Sequence, residues 1–142
     1  MRKRELQSPV SNVVLILAML LSSFASLRPT TTARAEHTPS PSSVNLVGSL
    51  QSEATGNACG DWSPDCAAAN FADQGNSVYL FNAASIPAGS YEYKVTINGS
   101  WTENYGGNFQ QDGPNIPLNL TADRSVRFYY DHKTHYIADN VN

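Results

Sequence analysis

Lysine and arginine are scarce over most of this sequence. After residue 35 there are four of them against eleven aspartates and glutamates, so this part of the chain carries a net charge of −7. Nucleic acids and anionic membrane surfaces are bound by clusters of basic side chains, and we therefore expect neither as a partner. An uncharged polymer such as a polysaccharide is not repelled by an acidic surface and is compatible with this composition.

Sequence motifs of catalysis are also missing. The sequence has no phosphate-binding loop, nucleophile elbow or dinucleotide fingerprint. Glycoside hydrolysis needs two carboxylates roughly 5–10 Å apart beside a substrate cleft, and Asp61, Asp65 and Glu103 are the candidates. A single small domain rarely forms a cleft deep enough to exclude water. We therefore expect no enzyme activity, and a small hydrolase is the least favoured hypothesis.

Long apolar runs are limited to one, at residues 13–21. Three basic residues at positions 2–4 precede this run, and the A-x-A sequence at residues 33–35 follows it. This pattern predicts a secretory signal peptide over residues 1–35. The run is shorter than the roughly 20 residues of a membrane-spanning helix, although an uncleaved anchor is the alternative. We expect cleavage, secretion to the extracellular space and no membrane contact afterwards.

The remaining chain divides into a linker, one domain and a tail. Residues 36–43 are polar and contain two prolines, which predicts a flexible linker. Residues 44–138 are enough for one domain with one hydrophobic core. The polar residues 139–142 are predicted to fray.

Cysteine occurs only twice, at Cys59 and Cys66. In an exported chain, two nearby cysteines favour a disulfide that closes a short loop. Their spacing is too long for C-x-x-C redox chemistry, and two cysteines alone do not form a zinc site.

Sustained helical periodicity is lacking after residue 43, whereas glycine, proline, asparagine and serine recur every few residues. Short β-rich segments between them predict an all-β domain, an immunoglobulin-like antiparallel β-sandwich with one helical turn at residues 65–70. The predicted strands are residues 44–50, 78–81, 90–97, 116–120, 125–130 and 134–137.

The segment 90–97 is the clearest predicted strand, because apolar and polar residues alternate along it. The alternation places Tyr93 in the core and Lys94 on a face toward solvent. Asn98 and Gly99 follow directly and are the strongest short signal for a hairpin turn, which leads the chain back through Trp101.

Two tryptophans stand in loops rather than in alternating strands. Trp101 precedes a polar, glycine-rich stretch, and Trp62 lies between the two cysteines. An indole face packs against the C–H face of a sugar ring, while neighbouring polar side chains bond its hydroxyls. The two rings therefore predict a sugar-binding platform. The alternative is structural, with Trp101 closing one end of the sandwich and Trp62 filling the cysteine loop.

A histidine cluster near the end of the domain comprises Asp131, His132 and His135. Two histidines three residues apart on a strand or turn are not expected to share a face as metal ligands do, and no third ligand is evident. We expect no metal and no cofactor, while a calcium ion near Asp61 and Asp65 stays an open alternative.

Four stretches of the sequence resemble the accessory module that precedes the catalytic domains of bacterial pullulanases and amylopullulanases. Two carry most of the resemblance: YEYKVTINGSWTENYGGN at residues 91–108 and SVRFYYDHKTH at residues 125–135. The resemblance covers residues 44–137 and implies a fold similar to starch- and glycogen-binding β-sandwich modules. Residues 71–77 depart from the acidic and aromatic pattern of these modules, which implies a changed loop.

The resemblance implies a binding site for an α-glucan. In the glycogen-binding relatives a lysine and a tryptophan bind the sugar, and these residues match Lys94 and Trp101. Trp62 and Asn115 are similar to a second tryptophan and an asparagine of that site. We add three neighbours of Trp101 as hydroxyl-bonding or platform residues, namely Glu103, Asn104 and Tyr105.

The implied partners are an α-glucan polysaccharide or oligosaccharide and a pullulanase or amylase. The alternative function is a structural spacer, or a docking remnant of a pullulanase that no longer binds sugar.

Overall fold

The structure is a computed structural model that describes residues 39–142. The predicted signal peptide and residues 36–38 lie outside this range. The described chain forms eight strands and one helical turn labelled α1, and no helix in it is both long and apolar enough to span a membrane. The elements are β1 (Val44–Gly48), α1 (Gln51–Ala54), β2 (Ala72–Asp73), β3 (Val78–Ile86), β4 (Gly89–Ile97), β5 (Ser100–Tyr105), β6 (Ile116–Leu120), β7 (Arg124–Asp131) and β8 (Tyr136–Asp139).

The strands form two antiparallel sheets, which confirms the predicted all-β sandwich. In the first sheet, β1 pairs with one edge of β4. Both β5 and β6 pair with the other edge of β4, at its end and at its beginning respectively. The second sheet has the order β2-β3-β7-β8.

The hydrophobic core lies between the two sheets. From β4 it takes Tyr93, Val95 and Ile97, as the alternation predicts, and from β7 it takes Phe128 and Tyr130. The rings of Tyr93 and Phe128 meet edge to face with centroids 5.0 Å apart, an arrangement that favours aromatic pairs. Apolar alternation therefore identified the buried face of β4 correctly.

Several element boundaries differ from the sequence-based prediction. The strand predicted at residues 116–120 matches β6, and the helical turn predicted at residues 65–70 is a short 3-10 turn, Ala67–Ala69. The strands β2 and β5 and the turn α1 were missed. The elements β2 and α1 hold too few residues for a periodic pattern, and β5 is interrupted where residues 101–103 leave the pairing with β4. The last strand begins later than predicted, since Asp131 accepts hydrogen bonds from Lys133 N and Thr134 Oγ1 in an intervening turn.

The hairpin between β4 and β5 turns at Asn98 and Gly99, as predicted. Their φ values of 55° and 64° are both positive, which is the requirement of a type I′ turn. Ile97 and Ser100 pair on either side of this turn.

The end of the predicted linker contacts the β4–β5 hairpin. The Ser42 backbone N–H and hydroxyl both donate to Asn98 Oδ1, at 2.7 and 2.8 Å. The Asn98 N–H in turn donates to the Ser43 carbonyl, at 2.9 Å. The polar side chain that favours the hairpin turn thus also anchors the segment before β1, which local composition does not reveal.

Residues 139–142, which were predicted to fray, make hydrogen bonds with one another and with the core. Asp139 is buried, and its Oδ2 accepts a hydrogen bond of 2.8 Å from the Tyr93 hydroxyl in the core. Its Oδ1 accepts the backbone N–H groups of Val141 and Asn142, each at 2.8 Å. A polar residue was therefore taken as solvent-exposed although it binds a core tyrosine that is distant in sequence.

The outer face of the first sheet is covered, contrary to prediction. Lys94 and Thr96 point away from the core, yet they are 9% and 0% exposed, and Val47 beside Lys94 in the ladder is 0% exposed. Two segments form the cover, because residues 59–70, between α1 and β2, and residues 106–115, between β5 and β6, both lie against this face. The prediction that Lys94 projects into solvent is wrong for this reason.

Candidate functional site

A disulfide joins Cys59 and Cys66, as predicted. The loop that it closes is fixed to the outer face of the first sheet, because the Trp62 N–H donates to the Gly48 carbonyl at 3.2 Å. Gln51 adds two bonds of 2.8 Å, accepting from Ser63 N through Oε1 and donating to the Ser63 carbonyl through Nε2. Trp62 has a φ of 56°, so this network holds it in the left-handed region.

Trp101 lies in a bulge of β5. Thr96 pairs with Asn104 and the next residue of β4, Ile97, pairs with Ser100. The residues 101–103 therefore have no partner on β4 and loop out of the ladder. This position leaves Trp101 42% exposed, whereas the other tryptophan is half-buried.

Asn104 holds the bulge from inside. Its Nδ2 donates to the Trp101 carbonyl at 3.1 Å and to Asp112 Oδ1 at 2.6 Å. The residue is 4% exposed, and its Oδ1 is buried without a partner in the described chain. Asn104 was predicted to bond sugar hydroxyls, whereas the structure buries its amide group, which positions the backbone of Trp101.

The structure brings the two tryptophans together. Their ring centroids are 6.3 Å apart and their planes are inclined by 33°. One ring is placed by the disulfide loop and the other by the bulge, so two separate restraints fix the pair. The result is an apolar surface with two faces that are turned relative to each other.

Lys94 lies on the same outer face, close to the loop between β5 and β6. A β-carbon on Gly106 would come within 3.0 Å of Lys94 Cε and 2.2 Å of the Pro114 carbonyl. Glycine is therefore required at position 106, and the stem of Lys94 packs against the backbone of this loop.

Asn115 is exposed, and its Nδ2 donates to Glu92 Oε2 at 2.9 Å. Glu92 precedes Lys94 by two residues on β4, so both side chains lie on the same face. Sequence reasoning did not select Glu92, although the alternation of residues 90–97 placed it on this face. The structure thus joins Asn115 to the strand that carries Lys94.

Tyr105, which was predicted to extend the aromatic platform, lies away from solvent in this structure. The residue is 6% exposed, and its ring stacks on His135 with centroids 3.8 Å apart and an interplanar angle of 8°. Burial and the hydrogen bond to Glu103 raise the pKa of Tyr105 to about 12. Its hydroxyl donates to Glu103 Oε1 at 3.0 Å, so Glu103 is engaged by a core residue.

The two histidines converge, contrary to expectation. The Nδ1 atoms of His132 and His135 lie 3.1 and 2.9 Å from the Tyr130 hydroxyl. His135 has a φ of 58°, and this left-handed conformation turns the backbone so that both histidine rings reach the Tyr130 hydroxyl. Burial, followed by the charge of His132, lowers the pKa of His135. This arrangement ties the turn before β8 to the core.

No group of three histidine, cysteine or acidic residues in the described part of the chain is arranged to hold a metal ion. Asp61, considered above for calcium, has its Oδ1 occupied by two donors of Ser52, the backbone N–H at 2.9 Å and the hydroxyl at 2.8 Å. Its local role is to fix the start of α1.

Removing the disulfide tests how strongly the loop of Trp62 depends on it. For the Cys59→Ala/Cys66→Ala variant we expect a loss of about 2–3 kcal/mol in the free energy of unfolding, since the open loop regains entropy in the unfolded chain. Urea denaturation followed by circular dichroism measures this change. An unchanged midpoint at an unchanged slope would show that the hydrogen bonds of Gln51 alone hold the loop.

The fold and the site define a small β-sandwich module that presents a pair of tryptophans on one face. The pullulanase X25 domain family matches residues 43–137. The chain belongs to this family, whose domain is an accessory module of pullulanases and amylopullulanases.

Similar sequences occur in much longer proteins. The chain is 44% identical over 110 residues to the amylopullulanase of Thermoanaerobacter thermohydrosulfuricus, covering 75% of this chain and 7% of the relative. It is 43% identical over 99 residues to the amylopullulanase of Thermoanaerobacterium thermosulfurigenes, covering 68% of this chain and 5% of the relative. It therefore spans less than a tenth of the length of these curated relatives.

A similar solved structure is the pullulanase from Bacillus acidopullulyticus. The match has a TM-score of 0.61 and a sequence identity of 31%, and it covers 70% of this chain and 11% of that chain. The sandwich described above is thus found within a pullulanase.

Proposed function

We propose that this domain is a secreted, non-catalytic module that binds α-glucans such as starch, glycogen or pullulan. The observation that carries the proposal is the Trp62–Trp101 pair, two indoles 6.3 Å apart with one of them 42% exposed. A large aromatic ring that a fixed loop presents to solvent gains most of its contact energy only when a ligand covers it.

The angle between the two indoles favours an α-linked chain. Sugars stacked on planes inclined by 33° must be turned relative to each other. An α-1,4 linkage turns successive glucose units and gives a curved chain, whereas a β-1,4 linkage gives a flat ribbon that fits coplanar rings. The pair therefore suits starch-like polymers better than cellulose.

Polar groups on the same sheet face supply the hydrogen bonds that a sugar needs. Glu92 and Asn115 are exposed and provide a carboxylate and an amide that are already bonded to each other at 2.9 Å, while the largely buried Lys94 provides an ammonium at the end of its side chain. Glu103 is a further candidate acceptor next to Trp101. In this proposal the tryptophans supply stacking and these side chains bond hydroxyl groups.

The surroundings and the relatives support the same class of ligand. The acidic balance beyond residue 35 disfavours anionic ligands and tolerates neutral ones. The relatives are named as amylopullulanases and a pullulanase, enzymes whose names refer to α-glucans. A partner enzyme of this kind would be held near its substrate by the module.

A titration with maltoheptaose tests the proposal. We expect quenching of tryptophan fluorescence with a dissociation constant in the micromolar to millimolar range, on the order of −4 to −8 kcal/mol. The domain should also sediment with insoluble starch, and cellulose is the matched control. A folded domain that stays in solution and shows no quenching would instead favour the spacer role, and release of reducing sugar from pullulan would favour the hydrolase.

A further inference from the structure

A second exposed aromatic pair lies apart from the two tryptophans. Phe109 and Tyr136 are 44% and 51% exposed, and their ring centroids are 4.8 Å apart. Apart from Trp101, no other large hydrophobic side chain of residues 39–142 is exposed. Trp101 is near the start of β5, and Phe109 lies in the loop that follows this strand.

The backbone at Phe109 is in an unfavourable conformation. Asn108 and Phe109 have φ values of 61° and 59°, and the left-handed region is uncommon for a bulky side chain. Such residues persist when the surrounding structure fixes them, and they concentrate at functional sites. The fold thus presents an apolar ring to solvent at a conformational cost, which packing of the core does not explain.

The loop that carries Phe109 is rigid. The Phe109 N–H donates to the Gly106 carbonyl at 3.1 Å, and Gly107 N donates to the Pro114 carbonyl at 2.7 Å. A β-carbon on Gly113 would lie 2.6 Å from the Gly107 carbonyl, so the two arms of the loop are in close contact. The ring is therefore held in place before any ligand arrives.

Tyr136 is placed by the second sheet. It pairs with Asp131 at the start of β8, and its neighbour Ile137 is buried in the core. Because side chains alternate along a strand, the ring of Tyr136 points outward beside Phe109. One ring comes from a loop and the other from a strand, as in the tryptophan pair.

Amide side chains surround Phe109 in the sequence. Asn108 and Gln110 flank it, Gln111 follows, and all three are exposed. The Gln111 amide also donates to the Thr102 carbonyl at 3.4 Å. Amides are neutral groups that both donate and accept hydrogen bonds, which is what sugar hydroxyls require. A stable protein interface buries about 800 Å² on each partner, far more than two rings and three amides present, so a sugar fits this patch better than a protein.

We propose that Phe109 and Tyr136 form a second saccharide-binding site, which stacks a glucose unit of the same glucan chain or of a neighbouring one. The choice of glucose rests on the proposed function. Because the two sites belong to one small domain, a polymer held at one site is presented to the other at high effective concentration. Retention on granular starch therefore depends on both sites, whereas a short oligosaccharide bound at the tryptophans does not.

The test uses the Phe109→Gly variant together with Tyr136→Ala. Glycine accepts the left-handed conformation without strain, so Phe109→Gly is expected to keep or raise the Tm. Starch retention is expected to fall about 3- to 30-fold in both variants, while the tryptophan response to maltoheptaose stays unchanged. Parental retention by both variants would overturn the proposal.

Nuclear magnetic resonance of the Trp101→Ala variant separates this proposal from the proposed function. Shifts of the Phe109 and Tyr136 ring signals on adding maltotriose support the second site even if the tryptophans bind nothing. Unchanged ring signals at millimolar maltotriose overturn it. Concentration-dependent self-association that Phe109→Gly abolishes also overturns it, and assigns the patch to contacts between protein chains.

Discussion

Replacing Trp101 with alanine is expected to weaken starch binding by about 10- to 100-fold, which corresponds to about 1.4–2.8 kcal/mol. The Trp101 indole is the more exposed of the two rings and therefore offers the larger surface to a ligand. Its removal also takes away the neighbour of the half-buried Trp62 ring 6.3 Å away. Stability should change by less than about 1 kcal/mol, because residues 101–103 stand outside the strand ladder. Starch sedimentation and urea denaturation of the same preparation measure both quantities.

Two further variants give this experiment its controls. Trp101→Phe keeps a smaller ring and should retain part of the affinity. Thr102→Ala changes an exposed residue in the same bulge and should bind as the parent does, which shows whether the bulge itself tolerates substitution. If Trp101→Ala loses cooperative unfolding, the indole closes the end of the sandwich and the structural alternative is correct.

Replacing Asp139 with alanine is expected to lower the free energy of unfolding by about 2–4 kcal/mol. The carboxylate accepts hydrogen bonds from the Tyr93 hydroxyl, from Val141 N and from both the backbone and the side chain of Asn142. Burial, together with the nearby charge of Asp139, raises the pKa of Tyr93, so its hydroxyl stays protonated as the donor. Without its acceptor this hydroxyl would be left buried and unpaired.

A double-mutant cycle with Tyr93→Phe isolates that contact. The two single variants remove one partner each, and we expect the double variant to be destabilised by clearly less than the sum of both. Thermal or urea unfolding of the four proteins supplies the comparison. Additive effects would show that Asp139 acts through the terminal backbone alone, and not through the core tyrosine.

Local patterns were enough to predict the centre of the fold. The alternation along β4 identified Tyr93 as a core residue, and the pair Asn98 and Gly99 located the hairpin. The disulfide followed from the number of cysteines. Each of these signals depends on residues that are close together in sequence. Composition and spacing are therefore enough to detect it.

Long-range contacts explain what sequence reasoning missed. Lys94 alternates with core residues and would face solvent in an isolated sheet, but segments from two other parts of the chain cover it. Asp139 resembles an ordinary tail residue until Tyr93, 46 positions away, supplies its donor. No periodicity or local propensity encodes such partners.

In the candidate site too, local sequence patterns identified some residues correctly and long-range contacts decided the others. Trp62 and Trp101 were selected because both stand in polar loops, and the structure places them side by side, although their binding role stays a prediction. Tyr105 was selected on its position after Trp101 and is buried. Phe109 was missed. Its exposure depends on a left-handed backbone conformation, which an aromatic residue in the sequence does not indicate.

The bulge of β5 has a consequence for how this family can diversify. Since residues 101–103 have no partners on β4, their number and identity can change without shifting the pairing of Thr96 with Asn104 or of Ile97 with Ser100. A directed-evolution library confined to Thr102 and Glu103 would therefore vary the polar neighbours of the Trp101 ring over a constant scaffold. Under the proposed function, the domain thus offers a compact frame in which sugar preferences can be selected while the strand pairing is kept.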